Sequence, residues 1–346
     1  MKRFTILGAG WLGLELANQL KNKYEIVVSA RNDEKLFEYK NLGFVSYILN
    51  ETDFSSLDKL LDTDYLFINY PPSKFDNYLN FLGKIYSYEK IKTIEKIVFI
   101  SSTSIYPNNE GIFDESSFIE TPSNKIVFDA ENLVLNKTHI IFRASALFGG
   151  NRIAGKRLSN KIVNFPNTKI NFVHRNDVIG ATIFAIENNL SGIFNLASKQ
   201  HPTKEKLYSF NAQKYGFDKP IFMDNGKSIE RIVDGSKIEK FGFTYKYFDP
   251  KIVYSDDSSA PALSEVAVPV GATGDKVKYK ITLKDLNDPS KALTDDSVRG
   301  SGWAIKAEVV SDPKNYNLLM TSKGLRCKTK DSVSYTACSG SKVIFW

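Results

Sequence analysis

Residues 3–13 read RFTILGAGWLG: a five-residue apolar run, glycines at 8, 10 and 13, and the opening of an amphipathic stretch over 11–22. A buried strand that turns on glycine directly into a helix is the start of a parallel βαβ unit, and each glycine then has its own task. Gly8 allows the tight turn, Gly10 lets an anion approach the backbone, and Gly13 lets helix and strand pack closely. The first N–H groups of the helix favour a phosphate, which places Gly8, Gly10, Trp11, Leu12 and Gly13 at the pyrophosphate of a dinucleotide. The competing reading is a glycine-rich turn with no ligand.

The chain then alternates apolar runs with helical patterns. EIVVSA, a helix over 33–41, FVSYIL, a helical 55–62, YLFINY, a helix over 75–91 and KIVFIS follow in order. That alternation predicts an α/β fold: a Rossmann-like, doubly wound parallel sheet with helices on both faces and a small substrate lobe built after about residue 150. Near residue 255 the composition changes, and only one of the 24 phenylalanines, Phe345, lies beyond it. The 346 residues are enough for two domains, since single cores stop growing at roughly 250–300 residues. The expected division is a dinucleotide-binding domain over 1–254, a small-residue, proline-bearing linker over 255–264, and a mainly antiparallel β-domain over 265–346. KVKYKITLKDL and WAIKAEVV carry the strand alternation of that last part. The terminal Val343-Ile344-Phe345-Trp346 reads as an edge strand that must pair or pack.

The end of the second strand bears on which dinucleotide. An NAD site places Asp or Glu there for the ribose 2′-OH, whereas this chain has Ser29-Ala30-Arg31-Asn32. Arg31 can pair with a 2′-phosphate, and Ser29 or Asn32 can add hydrogen bonds, so NADP is expected in preference to NAD. Asn69 and Pro71, after the fourth strand, and Ser101, in the fifth, are the other positions where the chain passes the cofactor.

Other classes recede. No run of about 18 apolar residues is present, so membrane insertion is not expected. The net charge of +7 comes from lysines spread along the chain without an arginine-rich motif, which argues against nucleic acid. The 3 histidines and 2 cysteines lack metal-ligand spacing. MKRFTIL resembles a secretion signal only until the glycines interrupt it, so a cytoplasmic location is expected for 1–254. Cys327 and Cys338 sit among turn-forming residues and suit a disulfide hairpin, which belongs in an oxidising compartment. Two reduced thiols, or a segment of extracytoplasmic origin joined by fusion, such as a pilus or adhesin β-domain serving as a protein-interaction module, both stay open. So does a homodimer.

The order of motifs over residues 1 to about 250 resembles the extended short-chain dehydrogenase/reductase superfamily, in its NAD-dependent epimerase/dehydratase group. GAGWLG, SSTSIY, GIFDES, FRASALFGGNR, FVHRNDVIGATIFAIEN and GIFNLAS carry the resemblance. It implies a nucleotide-sugar-like or other hydroxyl-bearing small-molecule substrate. It implies catalytic roles for Ser102, with Thr103 as the near alternative, and draws attention to Tyr106, from which Ser102 is counted back. Arg143, Arg152 and His174 are the substrate-side candidates, with structural salt bridges as the bland alternative; Asp177 suits a helix N-cap.

One part of the family pattern is missing. A Tyr-x-x-x-Lys pair should lie on the helix within TPSNKIVFDAENLVL, but aligning Ala130-Glu131 with the family's Ala-Glu puts Ser123 and Val127 in those places. No tyrosine occurs between Tyr106 and residue 206. Three readings follow: an enzyme whose relay has moved to Tyr106, Lys125 or His174; a dinucleotide-binding sensor or scaffold; or an interaction protein.

Overall fold

The computed structural model describes residues 1–226, 228–251, 265–268, 274–291, 302–311, 314–340 and 342–345. They fall into two compact units, 1–251 and 252–346. The expected linker over 255–264 lies outside the described residues, as does Trp346.

In chain order the first unit contains β1 (Arg3–Leu7), α1 (Gly13–Leu20), β2 (Glu25–Ala30), α2 (Asp33–Asn41), β3 (Val45–Ile48), α3 (Leu57–Leu60), β4 (Tyr65–Ile68), α4 (Tyr78–Tyr86) and β5 (Lys96–Ser102). There follow β6 (Gly111–Phe113), α5 (Lys125–Val134), β7 (Ile140–Ala144), β8 (Ala146–Phe148), β9 (Ile162–Asn164), β10 (Phe172–His174) and α6 (Arg175–Glu187). β11 (Gly192–Leu196), α7 (Lys204–Tyr215), β12 (Ile221–Met223) and β13 (Arg231–Val233) complete it. Seven strands form one sheet in the order β11-β7-β5-β4-β1-β2-β3, every neighbouring pair parallel. This is the Rossmann-like sheet expected from the alternation of apolar runs and helices.

Both faces of the sheet are covered, which is why its strands are apolar throughout. Phe4 and Ile6 of β1 pack into a core with Leu16, Val28, Phe142 and Ala181; Leu7 points into the other core, with Leu66, Phe81, Ile85 and Phe99. Some helices are shorter than the periodicity predicts. The helix expected from 75 begins at Tyr78, because the Asn77 side chain accepts the N–H of Asn80 and caps it there. The helical 55–62 shrinks to the single turn α3. Three short parallel pairs, β8 with β10, β9 with β12, and β6 with β13, make the smaller lobe.

The order of strands reverses between β1 and β4, since β2 and β3 lie on one side of β1 and β4, β5 and β7 on the other. Such a switch point opens a crevice at the carboxyl ends of the strands. Gly8 follows β1 and Asn69 follows β4, so both stand at its mouth.

The second unit is a six-stranded antiparallel sheet in sequence order. Its strands are β14 (Glu265–Val268), β15 (Tyr279–Asp285), β16 (Trp303–Val309), β17 (Asn317–Thr321), β18 (Arg326–Thr329) and β19 (Ile344–Phe345). Each pairs with its sequence neighbour, as hairpin-linked strands do. Cys327, fully buried in β18, forms a disulfide with Cys338 across a Cα–Cα distance of 6.2 Å. The terminal strand pairs as expected, Phe345 opposite Cys327 and Ile344 opposite Lys328. No helix among the described residues is long and apolar enough to cross a membrane.

Candidate functional site: a dinucleotide cavity and a second hollow beside strand five

The three glycines of the first turn do different things. Gly8 has a φ of +88°, and a Cβ there would stand 2.3 Å from the carbonyl oxygen of Asn69. At Gly13 a Cβ would meet the Gly8 carbonyl oxygen at 2.7 Å. Both positions need glycine for packing alone. At Gly10 a Cβ would meet nothing within 4 Å, so the missing side chain leaves open space rather than relieving a clash. That space is a cavity of about 730 Å³ lined by the turn, by the end of β2 and by Asn69, Tyr70 and Pro71. Leu12, at the N-cap of α1, offers no side chain to the first helical N–H groups; Leu14 N–H donates to the Gly10 carbonyl at 2.8 Å, and the end of the helix carries the partial positive charge that suits an anion.

The walls of the turn are braced. Gly8 donates its N–H to Ser29 Oγ at 3.0 Å, and Ser29 Oγ lies 2.6 Å from the Tyr70 hydroxyl. Tyr39 donates to the Ala9 carbonyl at 2.5 Å. Burial holds both tyrosine hydroxyls above their usual range, so they stay neutral donors. Ser29 and Asn32, expected near a 2′-phosphate, are engaged otherwise: Ser29 in this brace, and Asn32 in capping α2 by accepting the Lys35 N–H at 2.9 Å. Arg31 is exposed and reaches the Lys74 carbonyl at 3.2 Å. Lys35 and Lys74 join it around the same cavity. Sequence reasoning missed these two lysines, whose only signal was a helical spacing from Arg31 and a place after the two prolines.

The shoulder of β5 differs from what the motifs suggested. Tyr106 is fully buried. Its hydroxyl lies 2.8 Å from the Asp114 carbonyl and 2.8 Å from Asn195 Oδ1, and accepts from Arg143 Nη1 at 2.9 Å. Burial raises its pKa, the wrong direction for a base. Arg143 itself is locked to Glu131 at 2.7 Å, both side chains under a tenth exposed, and Ser101 donates to the same carboxylate at 2.6 Å. Tyr106, Arg143 and Ser101 therefore form one closed polar network, and none of the three lines either cavity.

Ser102 and Thr103 line a second hollow of about 500 Å³, which they share with Lys169, Lys204, Tyr208 and Arg231. Ser102 also caps the turn over Thr103–Ile105 by accepting the Ser104 N–H at 3.1 Å. Arg231 has carbonyl partners, Tyr106 at 3.3 Å and Pro107 at 3.5 Å, and burial lowers its pKa. Burial does the same to Lys204. Sequence reasoning missed Lys204 and Tyr208 because they come from α7, far along the chain; their i,i+4 spacing was the available signal. On α5, Val127 packs with Ile105, Tyr106 and Phe113. Ser123 donates to the Tyr106 carbonyl at 2.7 Å, and Lys125 is paired with Asp129 in solvent.

His174 is fully buried, its ring stacked 3.6 Å from that of Tyr247. Its Nδ1 accepts the Asn176 N–H at 3.1 Å, so His174, not Asp177, caps α6. Asp177 instead accepts the N–H groups of Lys246 and Tyr247 at 2.9 and 3.0 Å; burial pushes its carboxyl up to about 6. Arg152, expected on the substrate side, lines the cofactor cavity with its guanidinium 4.1 Å from the centre of the Trp11 ring.

A seven-stranded parallel sheet, a glycine turn at its switch point and a lobe beyond it define the class. The first unit shares that fold with solved structures of NAD-dependent epimerases and dehydratases. A putative NAD-dependent epimerase/dehydratase from Methylobacillus flagellatus superposes with a TM-score of 0.61 at 20% identity, covering 72% of this chain and 94% of that one. UDP-glucuronic acid 4-epimerase from Bacillus cereus, solved in complex with NAD, gives 0.58 at 19% identity over 75% of this chain and 96% of its own. No family model matches the chain. Protein YeeZ of Escherichia coli strain K12 is 30% identical over 273 residues, 73% of this chain and 99% of that protein. The chain belongs to the YeeZ family.

Proposed function

We propose that residues 1–251 bind NADP(H) in the cavity over Gly10 and hold an anionic, hydroxyl-bearing ligand of the nucleotide-sugar kind in the hollow beside Ser102, without the proton relay usual for such sites. The open space at Gly10 carries this reading, because a glycine that relieves no clash is what close approach of a pyrophosphate to the backbone requires. The NAD-bound epimerase from Bacillus cereus supports the class of cofactor. Preference for NADP is inferred from Arg31, Lys35 and Lys74 around the part of the cavity next to β2, where three cations outnumber the single acid of the lining, Glu51, whose carboxylate is engaged by the N–H groups of Asp76 and Asn77 at 3.1 and 2.8 Å.

When bound, NADP(H) supplies a hydride acceptor or donor. The chain's own contribution is positioning. Ser102 and Thr103 can orient a ligand hydroxyl, and Arg231, Lys169 and Lys204 favour a ligand carrying phosphate or carboxylate. Ser123 and Val127, in the places of the family's tyrosine and lysine, move no proton. Turnover is accordingly slow or absent, and a sensing or scaffolding role is the reading that this substitution favours. The disulfide in the second unit suits an oxidising compartment, and we take that unit to be an interaction module of extracytoplasmic origin fused to the first.

The test is calorimetric titration of the full chain with NADPH and NADH. Micromolar NADPH binding with a clear preference over NADH, and loss of that preference in Arg31→Ala, is expected. Absence of binding by either nucleotide would reduce the glycine turn to a structural one.

A further inference from the structure

We propose that Arg152 is a ligand of the cofactor pyrophosphate, completing from the loop after β8 the anion site that the glycine turn begins. This rests on the cofactor reading above and moves Arg152 from the substrate to the dinucleotide.

Four observations converge. Arg152 lines the same cavity as Gly10, Trp11 and Leu12, and it is absent from the lining of the hollow beside Ser102. Its guanidinium is held against the Trp11 ring at 4.1 Å. Stacking on an indole fixes the plane of the guanidinium and keeps its fork of donors ready for phosphate oxygens.

The charge around Trp11 is only partly answered. Arg175 stands 5.0 Å from the same ring and meets Glu15 at 3.5 Å. Among the described residues no carboxylate lies within salt-bridge distance of Arg152, Lys156 or Arg157. Burial, and then repulsion from Arg157 and Arg175, lowers the Arg152 pKa, so its positive charge sits at a cost that an anion would offset.

Donors are in surplus as well. The indole N–H of Trp11, a residue of the cavity lining, is buried without a partner, and α1 has no side-chain cap at its N-terminus beside the same cavity. A pyrophosphate brings two negative charges and several acceptor oxygens to a place where the chain supplies cations and N–H groups and almost no acceptors. A free phosphate-bearing ligand in the adjoining hollow lined by residues 151–158 has related chemistry, and the test separates the two sources.

The full chain, Arg152→Ala, Arg152→Lys and Arg31→Ala are titrated with NADPH and with adenosine 2′-monophosphate, which keeps the adenosine and the 2′-phosphate but has no 5′-phosphate or pyrophosphate; inorganic pyrophosphate is titrated as a control. Arg152→Ala should weaken NADPH by about tenfold or more, the scale of a lost charge-assisted bond, and leave the 2′-monophosphate within about twofold. Arg152→Lys should recover only part, since lysine lacks the stacked fork. Arg31→Ala should weaken both titrants. Equal weakening of both by Arg152→Ala, or no weakening of NADPH, would overturn the assignment while leaving the cofactor reading intact; unchanged NADPH binding together with lost binding of inorganic pyrophosphate would move Arg152 to a separate ligand. A wild-type chain that binds neither nucleotide would overturn the cofactor reading, and this inference with it.

Discussion

The two sides of the crevice handle their polar side chains in opposite ways. Around the glycine turn Arg31, Lys35, Lys74 and Arg152 present charge to an open cavity. At the shoulder of β5, Tyr106, Arg143, Glu131 and Ser101 are buried and bonded to one another. Polar side chains thus stay open to a cavity on one side and have become framework on the other. A motif residue is a candidate for chemistry only while its hydrogen-bonding capacity is unfilled, and the β5 network fills it.

That contrast can be broken at either side. The largest effect should come from Arg143→Ala, which leaves Glu131 charged and buried, at about 3–5 kcal/mol of stability; denaturant unfolding of the full chain measures it, and NADPH affinity in the protein still folded should hold. An unaffected midpoint would mean that the network is not framework. Next, Gly8→Ala combines the left-handed φ with a Cβ inside contact distance of the Asn69 backbone, which should cost about 2–4 kcal/mol.

Asp177 gives a smaller, pH-dependent effect. Its carboxyl pKa is raised from an ordinary acidic value to about 6 in the folded chain, so folding favours the protonated form. Its contribution is fully present below about pH 4 and is lost as pH rises through about 6, by about 3 kcal/mol at most. Chemical unfolding of the full chain at several pH values should show that slope, and Asp177→Asn should flatten it. Smallest in stability is Gly10→Ala, for which the added methyl meets nothing. The melting temperature should stay within about 2 °C while NADPH affinity falls. If Gly10→Ala binds NADPH as well as the wild type, the two sides of the crevice are alike after all.

Much of the fold could be read from the residues. The run RFTILGAGWLG carried a strand, a turn and a helix because local pattern and tertiary role agree there. The start of α4 could not be read from periodicity, since one asparagine side chain decides it. The site was legible where it is local in sequence, as at Gly8 to Gly13 and Arg31. It was illegible where α7 delivers a side chain across the fold, as with Lys204 and Tyr208; Arg152 was named on the substrate side, but its place in the cavity over Gly10 and not in the hollow beside Ser102 was not legible. Ser29 shows a further limit: its position at the strand end was right, but its hydroxyl faces Tyr70 and Gly8, an orientation that only the packed structure supplies.

Trp11 gives the molecule an optical property. It is the only indole in residues 1–251, the other two being Trp303 and Trp346, and it lines the cavity over Gly10. Reduced nicotinamide absorbs where indole emits, so a dinucleotide seated there would quench Trp11 and emit in its place. Ultraviolet excitation alone would then report occupancy, and the chain would serve as its own gauge of reduced nucleotide without any attached dye.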